Sequence, residues 1–281
     1  MIDGAIPYLR CPVCRGPLAR AERALRCPRG HSFDMAKQGY ADLSAGRLPH
    51  TGDTAAMVAD RAAFLAAGHY TFIADALAGH HTDGLVLDAG TGTGDYLARF
   101  LDGSPAATGL GLDVSKPALR RAARAHERAA AVLADLWRPL PVADASAAVV
   151  LNVFAPRNGP EFHRVLRPGG VLLVVTPAAD HLAELIAAHG LISVDPDKAA
   201  RVRGSLGEHF ALASSGTHRR RLRLTPAEAR VLIGMTPSAR HVDPAAVPDT
   251  PVTVTAAVDV AVYRPVPGGK PITDDKPATS D

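Results

Sequence analysis

The run Leu85–Gly94 constrains this chain more than any other stretch. Leu85, Val86 and Leu87 are apolar and read as a short buried strand, ended by Asp88. Gly90, Gly92 and Gly94 then recur at every second position. Asp95 to Leu101 reads as a helix with Tyr96, Leu97, Phe100 and Leu101 on its apolar side. A strand, a glycine turn and a helix N-terminus make a cradle for a nucleotide-like cofactor, because glycine lets backbone approach a ligand closely. The spacing departs from the dinucleotide fingerprint G-x-G-x-x-G. The third glycine comes one residue early, and Asp95 stands where that fingerprint wants glycine. An ordinary strand-to-helix turn does not call for three alternating glycines and a flanking carboxylate.

Further strands follow the cradle. Thr108–Asp113, Ala130–Asp135, Ala147–Phe154 and Val171–Thr176 are apolar runs, and the first two end in an acid. Asp113 lies about twenty residues beyond the glycines, where a doubly wound fold places the acid that binds both ribose hydroxyls. Acids ending successive strands converge on one crevice, where open α/β sheets bind ligands. The pattern Asp88-x-Gly-x-Gly-x-Gly94 resembles motif I of the class I S-adenosylmethionine-dependent methyltransferases, as does Pro168-Gly169-Gly170 before an apolar strand. The resemblance implies a Rossmann-like α/β domain. In it Asp88 meets the cationic amino-acid end of the cofactor, Gly90, Thr91, Gly92 and Gly94 form the cradle, and Asp135 and Leu136 lie by the adenine.

All three cysteines fall within the first 27 residues. Cys11, Cys14, Cys27 and His31 form the pattern C-x2-C-x12-C-x3-H. Two close ligand pairs separated by a short hairpin suit a tetrahedral, structural zinc. Three thiols cannot complete two disulfides. A redox C-x-x-C normally opens a helix, which Pro12 and the flanking turns oppose. Arg10, Arg15, Arg20, Arg23, Arg26 and Arg29 crowd the same segment. They read either as a grip on a phosphate backbone or as a solvated surface. The whole-chain net charge of +3 does not by itself announce a nucleic-acid partner. The N-terminus lacks the basic-then-apolar pattern of a signal peptide, and no apolar run reaches membrane-spanning length. The expectation is a soluble cytoplasmic protein with no membrane partner.

Around the zinc pattern the likeness becomes specific. Cys11-Pro-Val-Cys14, Leu25, Gly30-His-Ser-Phe-Asp34, Lys37-Gln-Gly-Tyr40 and Leu43 resemble the zinc module of the RlmA-type 23S rRNA guanine-N1 methyltransferases. That family includes tylosin-resistance methyltransferases of actinomycetes. Gly52-Asp53, Met57, Arg61, Phe64-Leu65 and Gly68-His-Tyr70 resemble its linker. Phe154-Ala-Pro156, Asp180-His-Leu182 with Glu184, and the segment from Met235 to His241 extend the match over about residues 8 to 264. Thr71-Phe72 departs from it, standing where the family commonly has a proline, and is expected to alter only a loop. The resemblance implies methylation of a guanine N1 in the hairpin loop of helix 35, with 23S rRNA or a large-subunit precursor as partner and a homodimer admitted. Tylosin-type macrolide resistance would follow. Two other readings stay open: a small-molecule methyltransferase of a biosynthetic cluster, and a non-catalytic RNA-binding ribosome-assembly protein.

The expected organisation is a zinc-binding RNA-recognition module (1–47), a helical linker (48–80), a methyltransferase domain (81–265) and a disordered tail (266–281). A domain beginning at residue 48 is expected to bind cofactor alone. Thr54 caps a helix through about Ala67, and a second helix spans Thr71 to Leu77. Ser115 caps another, and Thr225 with Glu228 forms a capping box. His181–His189 reads as an amphipathic helix, residues 191–209 are poorly patterned, and Val252–Tyr263 closes the sheet as an antiparallel hairpin partner of Thr217–Leu224. Tyr70 is placed in the cofactor crevice by resemblance. Asn152 and Phe154 stand at the tip of the fourth strand, where base methyltransferases contact an extruded base. Asn152 is therefore expected to serve both cofactor and base, and Phe154 to stack. Asp53 is a candidate general base because its loop could reach the crevice, and an N-cap role at the linker helix is equally open to it.

Overall fold

The computed structural model describes residues 2–195, 197–240, 242 and 249–267. An eight-stranded sheet carries the fold. Its strands are β4 (Ala41–Asp42), β5 (Gly84–Ala89), β6 (Ala107–Asp113), β7 (Ala129–Leu133), β8 (Ala147–Val153), β9 (Leu166–Pro177), β10 (Phe210–Leu224) and β11 (Val252–Pro265). They lie in the order β10-β11-β9-β8-β5-β6-β7-β4. Strands β4 to β9 run parallel, and β11 pairs antiparallel with both β9 and β10. The chain leaves β5 toward β6 and β7, then returns to lay β8 and β9 on the other flank. The carboxyl ends of β5 and β8 therefore border a topological switch point, the ligand crevice of an open α/β sheet.

The central strands are nearly all buried, as Val, Leu and Ala runs covered on both faces should be. One face packs against α2 (Ala55–Ala66), α3 (Thr71–Leu77), α4 (Asp95–Asp102), α7 (Ala183–His189) and α9 (Pro226–Gly234), through Phe64, Ile73, Leu77, Leu97, Leu185 and Leu232. The other packs against α1 (Ile2–Ala5), α6 (Gly159–Val165) and α8 (Lys198–Leu206), through Ile2, Phe162, Val165, Val202 and Leu206. Helix α5 (Lys116–Ala122) covers β7 with Leu119 and Ala122. The Thr54, Ser115 and Thr225 caps form as the sequence predicts. Burial follows these segments directly. No described helix is long and apolar enough to cross a membrane.

Three expectations change. The poorly patterned stretch 191–209 contains α8, a helix whose described side chains bury two apolar residues, Val202 and Leu206. Two such positions give a weak periodic signal. Strand β10 begins at Phe210, well before the predicted Thr217, because β11 pairs with its full length. The zinc module is also no separate bead. Strands β1 (Ala19–Ala21), β2 (Ala24–Arg26) and β3 (Ser32–Asp34) form its own small antiparallel sheet. Yet α1, ahead of the module, packs on β6 and β7, and β4, behind it, adds to the edge of the large sheet. Leu9, Leu18 and Leu25 share one core with Leu87 and Leu110. A truncation at residue 48 would remove a strand and expose that core, so the shortened domain is not expected to stand alone. Of the tail predicted to be disordered, residues 268–281 lie outside the described residues.

Candidate methyltransferase site and zinc centre

The four zinc-pattern side chains converge. One ligand atom from each of Cys11, Cys14, Cys27 and His31 lies within 4.8 Å of every other. Cys27 Sγ is 3.2 Å from His31 Nδ1, and Cys14 Sγ is 3.7 Å from Cys27 Sγ. Burial pushes the Cys27 thiol up, but the His31 ring and several backbone groups outweigh this and hold it down, at about 6. A thiol held that low is largely ionised near neutrality, as a zinc ligand must be. Three sulfurs and one imidazole nitrogen leave a tetrahedral ion no open position, so the centre suits a structural role.

The module's arginines are turned to other work than the sequence suggests. Arg15 Nη1 donates to Leu140 O at 2.6 Å and its Nη2 to Val142 O at 3.2 Å, across the joint to the catalytic domain. Arg10 reaches Pro7 and Leu9 carbonyls, Arg20 forks onto Asp3, and Arg26 donates to Ser32 Oγ. Among the described residues, the side chains of Arg23 and Arg29 form no hydrogen bond or ion pair. The module is thus a docked brace whose guanidinium groups mostly close internal contacts.

At the switch point the glycine turn has divided duties. A side chain on Gly90 would collide with Ala155, and a Cβ on Gly94 would lie 2.9 Å from Ala122 Cα in the start of the helix-to-helix contact. Gly94, predicted as a cradle residue, is required by packing of α4 on α5. Gly92 has a positive φ of 54° and only the Arg61 Cδ nearby, at 3.7 Å, so it faces the crevice. Its N–H donates to Asp113 Oδ2 at 2.8 Å, while Ser115 N–H donates to Asp113 Oδ1 at 2.8 Å. Asp113 therefore ties the cradle to β6.

Asp88 is buried and accepts from Thr91 Oγ1 at 2.7 Å. Burial raises its carboxyl to about 7, with Asp113 adding to the rise and the Thr91 hydrogen bond opposing it. A cationic ligand group alongside would reverse that rise. Asp135 Oδ1 accepts from Trp137 N–H at 3.0 Å, and Oδ2 lies 3.1 Å from His50 Nδ1. Leu136 is buried below Gly90, and its carbonyl accepts from Asn158 Nδ2. Asn152 Nδ2 donates to Ala89 O at 3.1 Å and Pro156 O at 2.8 Å. Two carbonyl acceptors fix the amide's orientation and leave its Oδ1 buried with no hydrogen-bond partner. Such an orphan acceptor at a strand tip fits a ligand N–H donor.

The linker forms the crevice's outer wall, and there sequence reasoning named Asp53 and Tyr70 but missed Arg61 and His50. Asp53 Oδ2 accepts from Arg61 Nη2 at 2.7 Å and its carbonyl from Ser115 Oγ at 2.8 Å. Thr54, not Asp53, caps α2. Arg61 also donates to Met235 O at 3.1 Å, and its buried Nε has no partner. The linker lies so tightly on α5 that a Cβ on Gly52 would come 2.7 Å from Ser115 Cβ. Arg61 had a legible signal: Met57, Arg61, Phe64 and Leu65 share one helical face, and a lone arginine there is out of place. His50 had none.

Tyr70 is buried, and its hydroxyl lies 3.4 Å from His181 Nε2. His181 Nδ1 accepts from Ala257 N–H at 3.2 Å, so the ring proton sits on Nε2 and is donated to Tyr70. Burial lowers the His181 pKa, keeping the ring neutral. Phe154, at a positive φ of 53°, half-buried, lies 6.0 Å from the same ring. His69 instead contacts Glu228 at 2.9 Å and stitches the linker to α9.

A Cys3His module beside an acid-lined α/β crevice matches known proteins along most of the chain. Residues 9–45 match the family profile described as RlmA, N-terminal, and residues 86–170 match a methyltransferase domain. A Micromonospora griseorubida protein named as a 23S rRNA (guanine-N(1)-)-methyltransferase is 57% identical, over 93% of this chain and 98% of its own. The 23S rRNA (guanine(748)-N(1))-methyltransferase of Streptomyces fradiae is 46% identical, over 95% of this chain and 100% of its own. The chain belongs to the 23S rRNA (guanine-N1)-methyltransferase family. A Bacillus subtilis relative of the same description is 32% identical over 63% of this chain and 66% of its own. Membership makes this an S-adenosylmethionine-dependent rRNA methyltransferase with a zinc ribbon. The Asn152 orphan acceptor and the open Gly92 cradle are consistent with that cofactor.

Proposed function

We propose that the chain methylates N1 of the guanine equivalent to position 748, in the hairpin loop of helix 35 of 23S rRNA. End-to-end similarity to the S. fradiae enzyme, whose name states that nucleotide, carries this reading. The resulting methyl group would lie beside the macrolide path and confer tylosin-type resistance. The cofactor's sulfonium supplies an already activated methyl group, so the protein's own work is alignment and electrostatics.

We assign Asp88 to the cofactor's ammonium, Asp113 to the ribose hydroxyls and Asp135 with Leu136 to the adenine side, with Tyr70 and Gly90–Gly92 lining the crevice. The Asn152 Oδ1, fixed by the two carbonyls that hold its amide, accepts a ligand N–H. Phe154 stacks on the extruded guanine and rests on the neutral His181 ring. Asp53 orients Arg61 against the cradle, because the carboxylate is already committed to that guanidinium. The bulk of the proposed site acts by holding charge and shape, and the N1 proton passes to solvent.

Methylation of unmodified 23S rRNA with labelled cofactor, followed by mapping of the modified base, tests this. Label on N1 of that guanine is expected, and label elsewhere or none at all overturns the reading.

A further inference from the structure

Strand β10 ends in a basic row that neither the zinc module nor the crevice uses. Arg219, Arg220, Arg221 and Arg223 are all exposed. Strand β9 stops pairing at Pro177, opposite Val258, which in turn pairs with His218. Residues 219–224 and their β11 partners 252–257 therefore project beyond the carboxyl end of β9, the same end at which the crevice opens. Alternation puts Arg219, Arg221 and Arg223 on one face, about 6–7 Å apart. That spacing is comparable to successive phosphates on one nucleic-acid strand. Leu222 and Leu224 turn the opposite way into the core, which fixes which side the arginines show to solvent.

The row is joined to the site. Asp180 accepts from Arg219 Nε at 2.8 Å, and the next residue, His181, touches both Tyr70 and Phe154. Arg219's ion pair is exposed and exchanges readily for a phosphate. Arg221 is near Glu184, and the side chains of Arg220 and Arg223 form no hydrogen bond or ion pair among the described residues. On the same face the row runs into a cavity of about 420 Å3 bordered by Thr176, Arg203, Thr217, Asp259 and Tyr263.

We propose that the β10–β11 arm is the phosphate grip for the RNA, holding the backbone next to the target base while the zinc module serves as a brace. This rests on the rRNA reading above. Guanidinium groups suit phosphate by planar, paired donation. Spaced along a rigid strand, they would seat the backbone in one register beside Phe154.

The test measures binding of the intact protein to an unmodified helix 35 hairpin RNA from 50 to 200 mM salt. Arg221→Ala with Arg223→Ala is expected to flatten the log–log salt slope by about 1.4–1.8 and to weaken binding about tenfold at the low-salt end. Cofactor affinity and melting temperature should stay at wild-type values, and Arg221→Lys with Arg223→Lys should recover most of the slope. Arg23→Ala with Arg29→Ala, in the zinc module, should change the slope less. Wild-type affinity and slope in the alanine pair would overturn the proposal, as would a joint fall in melting temperature and cofactor affinity. Wild-type protein that grips the hairpin with a steep slope but methylates no guanine would sink the function reading and leave the arm standing.

Discussion

The zinc module and the β10–β11 arm are both rich in arginine, and they put it to opposite uses. In the module, guanidinium groups close loops and join domains: Arg15 holds two carbonyls of the catalytic domain, and Arg20 grips Asp3. In the arm, a strand that outruns its neighbour holds arginines out at the crevice end. An arginine's neighbours decide whether it is mortar or hook. Charge counted along a sequence carries no information on that choice.

The sharpest way to break this contrast is to remove the module's metal. Cys14→Ser should lose zinc and soluble yield together, since metal binding and folding are linked and the ribbon's Leu9, Leu18 and Leu25 belong to the main core. Metal analysis of purified wild type should give one zinc per chain. Intact solubility and cofactor binding without zinc would make the module dispensable to the fold.

Next in size is the cradle, the reference against which both regions are measured. Gly92→Val should abolish cofactor binding in calorimetry at a modest cost in melting temperature from its positive φ, whereas Gly94→Val should lower the melting temperature further because it also collides with Ala122 and Ala125. Arg15→Ala should destabilise the protein by about 1–3 kcal/mol through two lost hydrogen bonds at the joint, and leave the RNA salt slope unchanged. A flattened slope with unchanged stability would make Arg15 a hook after all.

Protonation of Asp88 gives a smaller, graded effect. Its pKa rises in the fold from 3.8 to about 7, so the folded state holds a proton that the unfolded chain gives up. That contribution to stability is full below about 4 and lost as pH rises through about 7. The cofactor's ammonium needs the ionised carboxylate. Its affinity should therefore rise up to about tenfold per pH unit below 7 and level off above 8. Calorimetry across pH 5.5–8.5 checks this, and a flat profile would remove Asp88 from the ammonium's surroundings. The smallest effect is expected from Arg29→Ala, exposed and unpaired: no measurable change in melting temperature and less than a twofold change in RNA binding.

The order of strand, glycine turn and helix, and the acids Asp88, Asp113 and Asp135, are legible because their backbone roles are local. A glycine run and strand-end carboxylates announce themselves by spacing. So do Cys11, Cys14, Cys27 and His31, whose two close pairs meet wherever the hairpin folds them. The helix caps at Thr54, Ser115 and Thr225 are written in the chain for the same reason.

The rest depends on long-range contacts that no window of sequence contains. His50 meets Asp135 across 85 positions, Arg61 reaches Met235 across 174, and Arg15 reaches Leu140 across 125. Strand β4 is two residues long and becomes a strand only because β7 offers its edge. Helix α8 turns only Val202 and Leu206 inward among its described side chains, and α6 packs against it. The sequence alone determined the ligand chemistry available to this protein, through which residue types recur at which spacing. Only the tertiary structure decided which arginines meet carbonyls and which meet water, because burial and partner are properties of the packed chain.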